Sequence, residues 1–253
     1  MLETKDLTVR FGGHVAVDHV SCQFAPGTLT AIVGPNGAGK TTYFNLISGQ
    51  LRASVGTVRL GGVDITHEAV SSRTHRGLGR AFQLTQLFPN LTVLENVRLA
   101  VQSRRREGLN LWSVWQDHRN TLERAHALVE RVKLGDRAHA HASSLPHGDQ
   151  RKLEVAMLMA LEPQVYMFDE PTAGMSVDDV PVVLDLIRML KAQADKTILL
   201  VEHKMDVVRE LADRIIVLHN GQLVADGEPA AVIASPVVQN AYLGVAPVAE
   251  AAA

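Results

Sequence analysis

Gly34-Pro35-Asn36-Gly37-Ala38-Gly39-Lys40-Thr41-Thr42 fits the pattern G-x-x-x-x-G-K-[ST]. The residues before it, Leu29-Thr30-Ala31-Ile32-Val33, read as a β-strand, and the apolar run Tyr43 to Ser48 reads as a helix that stops at Gly49. A strand feeding a glycine-rich loop that opens a helix is the context this pattern requires, and it sets the stretch apart from a glycine-rich turn with a chance lysine. Gly34, Gly37 and Gly39 let the backbone curl so that consecutive N–H groups point inward, and the helix N-terminus adds about half a positive charge. A polyphosphate fits there. Lys40 would reach its β and γ phosphates, and the Thr41 hydroxyl would bind the Mg²⁺ that bridges them.

Outward from the loop the pattern is α/β. Residues 3–11 and 15–24 read as short strands joined by the turn Gly12-Gly13, an antiparallel layer at the N-terminus. Phe11, just before that turn, could stack on a purine ring, but taken alone it reads better as edge-strand packing. Downstream, Gly56 to Leu60 is a further strand closed by Gly61-Gly62, and Gly79-Arg80-Ala81-Phe82-Gln83 is a brief extended run. Thr92-Val93-Leu94-Glu95 has capping-box spacing, which starts a helix at Val93. Helical periodicity then continues to about Leu161, with Leu122, Ala125, Leu128, Val129 and Val132 on one face. Leu153, Ala156, Met157, Ala160 and Leu161 line a second such face, and Arg104 to Trp115 reads as a solvated loop between helices.

Val165-Tyr166-Met167-Phe168 is a continuous apolar run ending in Asp169-Glu170-Pro171, as in a buried parallel strand that delivers acids to its C-terminal edge. A helix follows with Pro181 in its first turn and Val183, Leu186, Ile187 and Leu190 facing inward. Thr197 to Val201 is another buried strand, leading to Glu202-His203. Ile215 to Leu218, the Asn220-Gly221 turn and Gln222 to Ala225 form a hairpin. Residues 245–253 read as a disordered alanine-rich tail. No internal repeat is visible.

Composition narrows the function. A net charge of -2 gives no bulk attraction for nucleic acid, so an anionic ligand must be held locally. No apolar run approaches the ~18 residues a membrane span needs, and charges at Glu3, Lys5 and Asp6 leave no signal-peptide core. The single cysteine, Cys22, rules out an internal disulfide and fits a reducing cytosol. His139, His141 and His147 have no cysteine beside them and read as a solvated loop rather than a zinc site.

The acids define the chemistry. In a phosphate-loop protein the first carboxylate of such a pair, Asp169, holds Mg²⁺, often through water, and Glu170 is placed to polarise an attacking water. Gln83 and His203 are weak signals alone, a surface amide and a structural histidine, raised only by their positions before the helical insert and after the strand beside the acids.

Together these residues resemble the nucleotide-binding subunits of ABC transporters over essentially the whole chain. Leu145-Pro146-His147-Gly148-Asp149-Gln150 looks like their signature motif, placed at a helix start shortly before the Asp169-Glu170 strand. The resemblance implies an α/β fold: a phosphate-loop NTPase (RecA-like) core with an N-terminal antiparallel β layer and an inserted α-helical subdomain. One domain would span 1–244, with the helical part at about 90–162.

The resemblance also assigns site residues. ATP and Mg²⁺ would be held by Gly34, Asn36, Gly37, Ala38, Gly39, Lys40, Thr41 and Thr42, with Phe11 on the adenine. Gln83 would be the loop glutamine reaching Mg²⁺, His203 the switch histidine near the γ-phosphate, and Ala173 to Ser176 the loop facing a partner subunit. His147, Gly148, Asp149 and Gln150 would close on ATP held by a second subunit, through helix N-terminal N–H groups.

Phe11-Gly12-Gly13, Arg80 to Gln83, Asp169 to Met175, Val201 to Met205 and Ala241 to Gly244 are similar to the subfamily serving branched-chain amino acid importers. The long insert resembles that of the larger of the two ATPase subunits. The implied partners are a second ATPase subunit, identical or a paralogue, integral-membrane permeases and, indirectly, a periplasmic or extracellular solute-binding protein, with no nucleic acid. The implied location is the cytoplasmic face of the membrane, with permeases docking around Gln83 to Thr92, where Leu84, Leu87 and Phe88 form an apolar cluster. Importers for urea, short amides or aromatic acids share these features. A soluble ABC ATPase of DNA repair or translation would carry a coiled-coil insert or tandem cassettes, and a phosphate-loop kinase or GTPase would carry a base-recognition motif or lid. Pro146 departs from the family's usual serine and lacks both the hydroxyl and the amide hydrogen that could bind the γ-phosphate.

Overall fold

In the computed structural model residues 1–81, 87–105 and 116–243 are described. They form two compact units, residues 1–73 with 197–243, and the described part of 74–196.

The first unit begins with β1 (Leu2–Phe11) and β2 (His14–Phe24), paired antiparallel across Gly12-Gly13. β3 (Leu29–Val33) leads through the phosphate loop into α1 (Lys40–Ser48), and β4 (Val55–Leu60) and β5 (Val63–Asp64) complete the antiparallel sheet in the order β2-β1-β4-β5. Leu2, Leu7, Val17, Val20 and Phe24 are fully buried on its inner face. The Tyr43 hydroxyl of α1 shares a hydrogen bond of 2.7 Å with Thr4 Oγ1, which fixes the helix to this layer.

α2 (Val70–His75) is a short helix that the sequence does not announce, and its Arg73 side chain is almost wholly buried. The guanidinium donates to Leu46 O at 2.8 Å, Ile47 O at 2.6 Å, Thr66 O at 2.6 Å and Glu68 O at 3.1 Å. Two of these carbonyls belong to the last turn of α1, whose C=O groups have no intrahelical donor. Gly49, at φ 84°, ends that helix, and a Cβ there would lie 2.7 Å from Arg73 Nε. Arg73→Met should destabilise the protein by about 3 kcal/mol, because several buried carbonyls lose charged donors at once. Urea unfolding checks this, and a midpoint matching the wild type would exclude it.

The second unit opens with β6 (Leu78–Ala81), α3 (Val93–Arg105) and α4 (Gln116–Arg131), continues with α5 (His147–Leu161) and β7 (Val165–Asp169), and ends with α6 (Val180–Lys191). β6 and β7 pair in parallel, Leu78 opposite Val165 and Ala81 opposite Phe168. The capping box at α3 is formed: Thr92 Oγ1 accepts from the Glu95 amide at 3.2 Å and Glu95 Oε2 accepts from the Thr92 amide at 2.8 Å.

Three helix readings are corrected here. α3 runs on through Arg104 and Arg105 instead of breaking at them, since Val93, Val97, Ala100 and Val101 give it a buried stripe and basic residues suit a helix C-terminus. In α4 the buried position is Thr121, 3% exposed, while Leu122 is 40% exposed; 121, 125, 128, 129 and 132 are the true stripe. α5 has no single inner face. It packs against α3, α4, α6 and β6, so Leu153, Val155, Ala156, Leu158 and Ala160 are all buried, and Met157 and Leu161 are only half-buried.

Back in the first unit, β8 (Thr197–Val201) pairs in parallel with β3, as does β9 (Arg214–His219), and β10 (Gln222–Gly227) returns antiparallel on β9. Every residue of β3 and β8 is buried, matching their unbroken apolar runs. Asn220 and Gly221, at φ 49° and 79°, form the tight hairpin turn. α7 (Met205–Leu211), α8 (Pro229–Ala234) and α9 (Pro236–Leu243) follow. Val208, Val232 and Val238 from these helices cluster with Ala31, Val33, Ile215 and Val217. α8 and α9 were not expected from the sequence, being too short for periodicity to register. Among the described residues no helix is long and apolar enough to cross a membrane. The expected tail, 245–253, lies outside the described residues.

Candidate functional site

In the first unit the loop after β3 has the curled form its sequence requires. Gly34, Gly37 and Gly39 all take positive φ, 149°, 79° and 95°. Gly39 is also pressed against a neighbour, since a Cβ there would stand 2.4 Å from Ala16 O. The helix ladder starts with the Tyr43 amide donating to Gly39 O at 2.8 Å, so the amides of Lys40, Thr41 and Thr42 precede it. Lys40, 6% exposed, folds back over the loop and donates to Gly34 O at 2.7 Å and Pro35 O at 2.9 Å. Asn36, Gly37 and Thr41 are exposed, Ala38 is buried and Thr42 is half-buried. Backbone donors, an ammonium and a helix N-terminus converging on one rim fit the oxygens of a polyphosphate, and the exposed Thr41 hydroxyl is an oxygen ligand suited to a hard cation.

Two further residues of this unit were singled out. Phe11 ends β1 opposite His14 and is 49% exposed, so about half of the residue is covered and half faces solvent. His203 is exposed just beyond β8. Its backbone is held by Glu202, 3% exposed, whose Oε2 accepts from the His203 amide at 2.7 Å and the Lys204 amide at 3.2 Å. The sequence marked the Glu202-His203 pair without seeing that the glutamate fixes the turn carrying the histidine.

In the second unit β7 ends at Asp169, and Glu170 takes φ 50°, a left-handed conformation that costs a non-glycine residue roughly 1–2 kcal/mol. That kink breaks the strand's alternation, so the two carboxylates need not point to opposite faces. Asp169 Oδ2 accepts from Arg80 Nη2 at 2.7 Å, and both side chains are less than a tenth exposed. The sequence placed Arg80 in the extended run but missed this pair, which links positions 89 residues apart. Removing one member of so buried a pair typically costs 3–5 kcal/mol. Gln83 and Leu84 lie outside the described residues; Leu87 is half-buried and Phe88 is 50% exposed.

The signature-like segment stands where a helix begins. Pro146 is the N-cap of α5 with φ -56°, and no side-chain hydrogen bond caps the helix. The Gln150 amide donates to Pro146 O at 3.0 Å, so the amides of His147, Gly148 and Asp149 come before the ladder. The Asp149 carboxylate turns to Lys152 and Arg137, at 2.9 and 3.0 Å, and Gln150 Nε2 donates to Leu145 O at 3.0 Å. Backbone, rather than these two side chains, is what the segment offers an anion. His141 Nδ1 meets Asn90 O at 3.0 Å, and among the described residues no group of three or more His, Cys, Asp or Glu is disposed to hold a metal.

A phosphate loop, a strand ending in paired acids and a helix opening at a signature-like segment are the parts of an ATP-binding cassette. The family description "ABC transporter" matches residues 17–173, and the chain belongs to that family as an ATP-binding cassette ATPase. It is 36% identical over 249 residues to the high-affinity branched-chain amino acid transport ATP-binding protein LivG of Escherichia coli, covering 96% of this chain and 98% of that one. It is 35% identical to BraF of Pseudomonas aeruginosa, of the same description, over 96% and 98%. The corresponding probable protein of Archaeoglobus fulgidus is 32% identical over 96% and 95%. Among solved structures, an ATP-binding cassette of an ABC transporter in its ADP conformation superposes with a TM-score of 0.81 at 30% identity, over 96% of this chain and 98% of that one. A nucleotide-free cassette gives 0.80 at 29%, over 94% and 97%.

Proposed function

We propose that the chain hydrolyses ATP to power an importer for branched-chain or related amino acids. It would work at the cytoplasmic face of the membrane, bound to integral permease subunits, in a dimer with a second copy or a paralogue. The observation that carries this reading is the 36% identity to the E. coli transport protein along 96% of the chain.

The amides of residues 36–42 and the Lys40 ammonium would grip the phosphates, and Phe11 would lie on the adenine. Mg²⁺, held by Thr41, Asp169 and Gln83, would neutralise charge on the β and γ phosphates. Oxygen-only donors, with Arg80 orienting the aspartate, support that assignment. Glu170 would accept a proton from the attacking water, with His203 near the γ-phosphate. His147, Gly148, Asp149 and Gln150 would present α5 to ATP on the other subunit. An importer for urea, short amides or aromatic acids is the second reading, since its ATPase would look alike at these positions.

Purifying the complex from detergent-solubilised membranes tests the proposal: a permease should accompany the chain, and branched-chain amino acids with their binding protein should stimulate ATPase activity. An ATPase that comes without membrane partners would point instead to a soluble role.

Pro146→Ser should raise the ATPase rate of the assembled transporter about tenfold. The serine restores a hydroxyl and an amide hydrogen at the helix start, and one charge-assisted hydrogen bond contributes about 1.5–3 kcal/mol. Equal rates in the two proteins would show the proline to be neutral.

A further inference from the structure

The first turn of α5 and the turn leading into α6 are fastened to each other within the second unit. The His147 ring lies over Gly174, where a Cβ would meet its Cε1 at 3.4 Å. Gly148 lies against the Asp179 carboxylate, and a Cβ there would fall 2.4 Å from Asp179 Oδ2. No larger residue fits while that carboxylate stays. It is kept there by Lys152 Nζ, which donates to Asp179 Oδ1 at 2.7 Å, and by Ser176 Oγ, which donates to Asp179 Oδ2 at 2.8 Å.

Lys152 is 9% exposed and also donates to Asp149 Oδ1 at 2.9 Å, on its own helix. Arg137 closes the network on Asp149 Oδ2 at 3.0 Å. Burial alone would pull the Lys152 ammonium down, but its bonds to Asp179 and Asp149 outweigh that and hold its pKa above the ordinary value. The same Lys152 bond, then that of Ser176, keeps the Asp179 carboxyl below the usual carboxylate range. Both groups are therefore charged at neutral pH, and a buried ammonium stays in place only while its carboxylates do.

We propose that Lys152 and Asp179 form a latch that makes the start of α5 and the turn from Gly174 to Asp179 one rigid piece, with Lys152 as a positioning residue for ATP hydrolysis. The inference rests on the reading that the amides of His147 to Asp149 address a γ-phosphate. Those donors are useful only at hydrogen-bond distance from where charge develops, and misplacement by about 1 Å costs on the order of a hundredfold in rate. None of the three touches the Lys152 ammonium directly. Their aim depends on how α5 sits against the 174–179 turn, and the latch sets that seating.

Hydrogen exchange of the full chain without nucleotide tests the latch itself. Asp179→Asn and Lys152→Met should each speed exchange about tenfold in peptides covering 145–153 and, together with them, in peptides covering 173–180, as one opening unit would. Lys152→Arg should restore protection in both. Asp179→Asn preserves volume and the acceptor for Ser176, so it decides the matter even where Lys152→Met folds poorly.

ATPase assays of the assembled transporter give the second arm. The kcat of each variant should fall about tenfold and that of the double variant no further. Affinity of the isolated chain for trinitrophenyl-ATP, gripped by the first unit, should stay within about twofold, and Lys152→Arg should recover most of the rate. Exchange that rises in only one segment, or a kcat for Asp179→Asn equal to that of the wild type, overturns the latch. A wild-type protein that hydrolyses no ATP overturns the proposed function instead, and the exchange comparison still decides whether the latch exists.

Discussion

Glu170→Gln should bind ATP with wild-type affinity and hydrolyse it at least a hundredfold more slowly. Glutamine keeps the shape and the hydrogen-bond acceptor of the side chain but cannot take a proton at neutral pH. A positioned general base contributes about 10²- to 10⁴-fold, so a loss of roughly 3–5 kcal/mol of transition-state stabilisation is expected. Position singles out this carboxylate over its neighbour. Asp169 is buried and tied to Arg80, whereas Glu170 is half-buried and kinked out of the strand at φ 50°. Backbone strain of this kind persists where the surroundings over-determine it, and it clusters at functional sites.

The competing account is that Glu170 serves only the turn after β7, where its carbonyl accepts from the Ala173 amide at 3.1 Å. That bond uses backbone and survives the substitution, so the two accounts predict different numbers. Single-turnover hydrolysis and a trinitrophenyl-ATP titration on the same preparation separate them. A rate within threefold of the wild type would leave Glu170 a turn residue and require another base.

What the sequence made legible was what short-range chemistry dictates. The loop from Gly34 to Thr42 is specified by residues in direct succession, each needed for a backbone angle or a donor. β3, β7 and β8 are legible because a strand covered on both faces must be apolar throughout, and α3 because Thr92 and Glu95 satisfy each other's amides.

What stayed hidden depends on partners far along the chain. Arg73 sits in a polar stretch and looks solvated, yet it reaches carbonyls 26 and 27 residues away. Arg80 finds Asp169 across 89 positions and Lys152 finds Asp179 across 27. Nothing local distinguishes such cations from exposed ones. Only the strand or helix that buries the backbone beside them does, and the charge then has to be paired.

The single inner face expected of α5 failed for a related reason, whereas that of α6 held. A stripe on α5 assumes one solvent face, but this helix is surrounded, and its sequence carries charge at Lys152 and Glu154 only because Asp179 and Arg151 meet it there. Phe11 is the opposite case. An aromatic residue at a hairpin end looks like packing until the structure leaves its ring half in solvent, which is where a planar ligand would have to find it.

Lys40→Met should weaken ATP binding about a hundredfold while costing the fold only about 1–2 kcal/mol. In the free protein the ammonium rests on the carbonyls of Gly34 and Pro35, at 2.7 and 2.9 Å. Nucleotide must draw it off those two acceptors, so the gain is the difference between phosphate and carbonyl as partners and not the full strength of a salt bridge. A gain of about 1.5 kcal/mol for each carbonyl exchanged for an anionic phosphate oxygen gives roughly 3 kcal/mol, or slightly more than two decades in affinity.

Methionine retains most of the apolar stem, so the folding loss is confined to the two carbonyls that lose the ammonium, and the variant should melt a few degrees lower but remain folded. Lys40→Arg tests whether charge alone suffices. A side chain only 6% exposed sits in a space shaped for a slender ammonium, and a broad planar guanidinium would have to displace the loop to enter it. Arginine should therefore recover less than a tenth of the lost affinity. Titration of trinitrophenyl-ATP against the three proteins measures the affinities, and thermal melts of the same samples measure the folding cost. Binding by Lys40→Met within threefold of the wild type would reduce the curled loop to an ordinary turn, and with it the cassette's hold on its nucleotide.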